Sequence, residues 1–203
     1  MAKRASSKTQ EHILDVASRL FYWNGIRATG VDVIADAAGV APTSLYRAFR
    51  SKDDLVTAYI GDSDRKFREQ FEGAAAGESD PRERIMSVFR AMSEETHPDV
   101  CRGCSSQMAL AEYPDVNSQP HRRAKETKDW LLKRYEELAA EFCTAHAPGS
   151  DPAFLASQLF IIHEGVIAGA LSGRSDRFTY PGVALVETLL RSVERPQISE
   201  PLE

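Results

Sequence analysis

The chain has 203 residues, 42% of them hydrophobic, with a formal net charge of −5. That supports a substantial core in one or two domains, and it argues against a protein that is basic throughout. Three cysteines in a chain this size argue against a disulfide scaffold, so a reducing cytoplasm is the expected setting.

The charge is unevenly spread. Residues 1–52 hold eight basic groups (Lys3, Arg4, Lys8, Arg19, Arg27, Arg47, Arg50, Lys52) and four acidic ones (Glu11, Asp15, Asp32, Asp36). That segment is therefore +4 and the remainder −9. A positive front end on an acidic body suits a protein in which one region meets a polyanion. The N-terminus starts basic and turns polar and amphipathic, with no continuous apolar stretch, so no signal peptide is expected. No run is read as approaching the ~18 to 20 apolar residues that a membrane span needs, and no membrane partner is expected.

The pattern is helical throughout. Ile13, Leu14, Ala17, Leu20 and Phe21 follow helical spacing, and Gly25 stands where such a helix ends. Thr29, three residues before Asp32, predicts the cap of a second helix with Val31, Ile34, Ala35 and Ala38 on its inner face. Gly39 ends it. Pro42 suits the first turn of a third helix running to about Phe49. Ser51 predicts the cap of a fourth, with Asp53 and Asp54 in its first turn. Residues 73–81 form the clearest break. Later helices are expected at about 81–96, 104–113, 119–145, 152–172 and 182–195, with Pro114, Pro120, Pro148, Pro152 and Pro181 at the joints. The expected fold class is all-α. The expected division is an N-terminal domain at 1–54 and a larger helical C-terminal domain at 55–203.

Ala35, Gly39 and Leu45 have the separations of a helix-turn-helix. Ala35 lets two helices cross closely, Gly39 accepts positive φ at the turn, and Leu45 plugs the core from the far helix. Thr43, Tyr46 and Arg47 then fall on the opposite face, flanked by Ser44. All can donate to phosphate, and only Arg47 can present a bidentate pair to guanine.

Residues 13–58 resemble the DNA-binding domain of TetR-family transcriptional regulators. The matching pieces are A-x-x-L-F (17–21), G-x-x-A-T (25–29), I-A-x-x-A-G-V (34–40), S-L-Y-x-x-F (44–49) and S-K-x-x-L (51–55). The resemblance implies a helical homodimer, each subunit placing its third helix in the major groove of a palindromic double-stranded DNA operator. It implies DNA contacts from Thr29, Thr43, Ser44, Tyr46, Arg47 and Lys52, with Thr29, Tyr46 and Lys52 on the backbone. Pro42 and Ala48 stand where the family often has larger or polar residues, which leaves Arg47 as the main reader of bases. Residues 102–115, RGCSSQMALAEYPD, resemble a segment of one subgroup of these regulators.

The family's C-terminal part usually encloses a small-molecule site. Candidate lining residues are Phe89, Met92, Met108, Glu112, Trp130, Phe160, His163 and Glu164, because polar groups among apolar and thioether neighbours suit a mostly apolar cavity. For the dimer, Gly165, Gly169 and Gly173 repeat every four residues, and Leu185 and Leu189 lie on the apolar face of the last helix. Plain intramolecular packing is the alternative for that stripe.

CRGC (101–104), with His97 and His121 near in sequence, offers one C-x-x-C pair where a zinc site usually has two. It suits a helix start, with a thiol switch as the alternative. HEGVI (163–167) lacks the second histidine of a metalloprotease motif. No metal or cofactor is expected. The leading expectation is a repressor released by a small, largely apolar effector. One rival has the same fold gated by a protein partner or by thiol oxidation. Another is an enzyme using His163 and Glu164.

Overall fold

The computed structural model describes residues 2–95, 101–170, 172 and 176–194. Among these residues the chain is helical: α1 (Ala2–Asn24), α2 (Val31–Ala37), α3 (Pro42–Ala48), α4 (Lys52–Ala76), α5 (Pro81–Glu95), α6 (Ser105–Glu112), α7 (Gln119–His146), α8 (Pro152–Ala170) and α9 (Asp176–Glu194). They form two compact units, Met1–Phe67 with Cys104–Lys128, and Arg68–Gly103 with Asp129–Glu203. α4 and α7 contribute residues to both. Compactness thus groups α6 and the start of α7 with the N-terminal helices, across the division by chain order at 54/55.

The first unit is organised by α1, α2 and α3. α1 ends where Gly25, at φ +93°, donates its N–H to Phe21 O at 3.0 Å. Gly39 makes the next turn at φ +64°, and Val40 N–H reaches back to Ala35 O at 3.0 Å. Ala35 and Leu45 are fully buried in the cluster formed with Ile13, Ala17, Phe21 and Ile34. Ala109 of α6 and Ala124 of α7 complete that core. Two side chains on the exposed start of α1 reach the far ends of the short helices. His12 Nε2 donates to Ala38 O at 3.0 Å and Gln10 Nε2 to Ala48 O at 3.4 Å.

The caps differ in one place from expectation. Ser51 Oγ accepts from Asp54 N–H at 3.0 Å, as its position predicts. Pro42 opens α3. Thr29 does not cap α2: Gly30 holds the cap position with no side-chain bond, and the Thr29 hydroxyl donates backwards to Gly25 O at 2.7 Å. Thr29 is 2% exposed, so burial decides which carbonyl its hydroxyl serves.

The second unit packs α5 and α8 on α9. α9 begins at Asp176, ahead of the expected 182, and carries Pro181 inside it. A proline interior to a helix removes one N–H from the ladder without preventing a helix of this length. The close approach of α8 and α9 rests on absent side chains. A Cβ on Gly169 would meet the Phe178 ring at 2.5 Å, and one on Gly182 would clash with Val166 Cγ2.

The expectation about membrane spans needs correction. In α8, Pro152–Gly169 is long and apolar enough to cross a membrane, with mean hydropathy 1.3. Its polar residues Ser157, Gln158, His163 and Glu164 leave the mean high, although they break any uninterrupted apolar run. This helix packs on α9, and 28% of that stretch is buried.

Gly169→Ala is expected to destabilise the protein by about 1–3 kcal/mol through overpacking. Thermal unfolding measures it, and in Phe178→Ala the same substitution should cost less.

Candidate nucleic-acid interface and interior polar site

α3 is too short to be stable alone, so its orientation comes from the side chains it buries. Leu45 is fully buried and Phe49, at its C-terminal end, is 5% exposed. With that side fixed inward, Thr43, Tyr46 and Arg47 are exposed, Tyr46 by 53%, and Ser44 is half-buried beside them. The structure therefore brings the four α3 candidates onto one projecting helix. Lys52, at the start of α4, is half-buried and donates to Arg27 O at 3.3 Å. Burial pushes its ammonium pKa down, while the charges of Glu112 and Asp53 act the other way. Thr29 is separated from this group by its burial.

The interior candidates divide between the units. Phe89 and His163 meet around Tyr135 in the second unit. His163, 4% exposed, has Nδ1 2.9 Å from the Tyr135 hydroxyl. Phe89 stacks on Tyr135 with centroids 5.8 Å apart and lies edge-on to His163 at 6.2 Å. Phe71 contacts Trp130 and Tyr135, each at 5.5 Å between centroids. Burial, and then the charge of Glu164, push the Tyr135 phenol well up. The phenol is thus neutral; when it donates to Nδ1, the imidazole proton lies on Nε2. Met92 is buried in the same unit, where Phe160 and Glu164 are half-buried.

Met108 and Glu112 belong to the first unit. The Glu112 carboxylate accepts from Ile26 N–H at 3.0 Å and Arg27 N–H at 2.6 Å. It is thereby engaged with the backbone between α1 and α2.

The three glycines of the α8 stripe also separate. Gly165 is exposed with nothing close to its missing Cβ, Gly169 packs beneath Phe178 of the same chain, and Gly173 lies outside the described residues. Leu185 is 54% exposed and Leu189 half-buried. Phe154 and Ile161 on α8 are 64% and 67% exposed.

Tyr135 and Arg27 were not singled out from the sequence. Tyr135 could have been found: Leu131, Tyr135, Leu138 and Phe142 share one helical face, which puts a hydroxyl among buried apolar groups. Arg27 carried no such local signal.

Residues 13–59 match the family described as bacterial regulatory proteins, tetR family. The fold superposes on SCO4454, a TetR-family transcriptional regulator from Streptomyces coelicolor, with TM-score 0.87 and 30% identity, covering 93% of this chain and 97% of that one. The chain belongs to the TetR family. Among further TetR-family relatives, the repressor KstR2 of Mycobacterium tuberculosis H37Rv is 30% identical over 135 residues, 64% of this chain and 66% of that protein. The regulator AcrR of Shigella flexneri is 36% identical over 78 residues, 35% of this chain and 36% of that protein. The chain thus spans between about a third and two thirds of these curated relatives' lengths. TetR-family proteins are transcriptional regulators and not enzymes, which removes the enzyme reading of His163 and Glu164.

Tyr135→Phe is expected to cost about 1–3 kcal/mol, because the buried Nδ1 loses its hydroxyl partner. A lower urea midpoint at unchanged slope is the measurement.

Proposed function

We propose that this TetR-family protein is a cytoplasmic, homodimeric, DNA-binding regulator that represses transcription from a palindromic operator until a small, largely apolar effector binds. The observation that carries the DNA reading is the pair of opposed faces on α3. Leu45 is fully buried, while Tyr46 and the neighbouring Arg47 project into solvent. Arg47 reads guanine in the major groove, and Tyr46, Thr43, Ser44 and Lys52 position the helix on the backbone.

Two further observations support the rest. Exposed Phe154 and Ile161 on α8 and Leu185 on α9 offer apolar area suited to a second copy. The buried Tyr135 and His163 pair, walled by Phe89, gives the second unit a polar point inside an aromatic environment. An effector with an apolar body and a hydrogen-bonding group fits that chemistry.

Release follows from spacing. Successive major grooves lie ~34 Å apart, so a shift of a few Å between the two reading helices loses register. The effector must prefer the wrongly spaced state, because equal affinity for both states shifts nothing.

Arg47→Ala is expected to cost about 1–3 kcal/mol of operator binding and to relax base preference at one position. Selection from a random duplex pool, followed by anisotropy titration, measures both; unchanged preference would remove Arg47 as the base reader. Lys52→Ala is expected to weaken all sequences alike and to lower the salt slope by about 1.

A further inference from the structure

The connection between α1 and α2 is held from outside by the end of α6. Both carboxylate oxygens of Glu112 accept backbone N–H groups there, from Ile26 at 3.0 Å and Arg27 at 2.6 Å. Arg27 Nε donates to the carbonyl of Glu112 at 2.5 Å, and the guanidinium lies over the Tyr113 ring, 5.6 Å from its centroid. The Tyr113 hydroxyl donates to Asp53 Oδ1 at 3.1 Å. Lys52 Nζ donates to Arg27 O at 3.3 Å. Five residues from three places in the chain thus fix one exposed arginine.

The orientation of charge at this corner is specific. Glu112 and Asp53 are both close, but the first faces two amides and the second a phenol. Arg27 is exposed. Its Nε is used, which leaves the terminal nitrogens as the groups that can fork around a phosphate. The Thr29 hydroxyl, the neutral donor implied for this corner by resemblance, is buried and directed to Gly25 O. The cations the corner presents are Arg27 and Lys52.

We propose that Arg27 is a DNA-backbone contact beside Lys52, and that Glu112 and Tyr113 are positioning residues that hold its guanidinium toward phosphate. This rests on the DNA-binding reading above. It gives Glu112 a part in operator affinity without any contact with DNA or effector. A stacked, hydrogen-bonded arginine loses less side-chain freedom on meeting phosphate than a free one.

The full chain is titrated against two fluorescent duplexes, one selected by the wild-type protein from a random pool and one of mixed sequence, over a range of salt. Arg27→Ala is expected to weaken both by the same factor and to lower the salt slope by about 1. Arg27→Lys, which keeps the charge, should retain most of the slope. Glu112→Ala should lower the slope in the wild-type background and add little in Arg27→Ala. Glu112→Gln keeps the volume and one acceptor, and supplies a second folded variant for the same cycle. An unchanged slope in Arg27→Ala, with wild type binding both duplexes, overturns the contact. A Glu112 effect of equal factor with and without Arg27 overturns the positioning role. Failure of wild type to bind either duplex overturns the DNA reading itself, and the inference with it.

Discussion

The close crossing of two short helices is the constraint on which the first unit depends. Ala35 and Leu45 can both be fully buried only because the turn between them passes through Gly39 at φ +64°. A residue with a Cβ is strained there even though the space around it is open. Once Leu45 is inside, the helical period assigns every other side chain of α3. Arg47 projects for the same reason that Leu45 does not.

Local chemistry was readable wherever one residue type answers one backbone demand. Gly25 and Gly39 at positive φ, Pro42 in a first helical turn and Ser51 at a cap are of this kind. The apolar periodicity of α1 and α2 named their core faces correctly. What was not readable depends on partners distant in sequence. Thr29 has the composition of a cap, but the packing around it turned its hydroxyl to Gly25 O and left the cap to Gly30. Glu112 follows an apolar stretch and so suggested an interior ligand group. Its partners lie 85 and 86 residues away, at Arg27 and Ile26. Gly169 shares a stripe with Gly165 in sequence, and only the path of α9 shows that Phe178 fills the space beside it. The mean hydropathy of Pro152–Gly169 likewise sums buried residues with exposed ones such as Phe154 and Ile161.

The second unit shows how a few polar groups can be kept inside an aromatic environment. Tyr135 and His163 satisfy one another at 2.9 Å, and the rings around them exclude water without competing for the hydrogen bond. Such a pair is costly to break and specific in geometry. The sequence pointed to His163 and Phe89; Tyr135, which bonds to the first and stacks on the second, was legible only as one residue of the inner face of α7.

The start of α1 has a practical consequence. Ser7, Lys8, Gln10, Glu11 and His12 are exposed, and Ile13 is the first buried side chain of the described core. Judged by hydrophobic burial alone, the chain could be shortened up to that point without harm. Yet Gln10 and His12 close the last carbonyls of α3 and α2, at Ala48 and Ala38. The polar leading turns therefore act as a strap across both helices of the motif. Trimming them leaves the core intact and loosens the ends of the elements that core is there to aim.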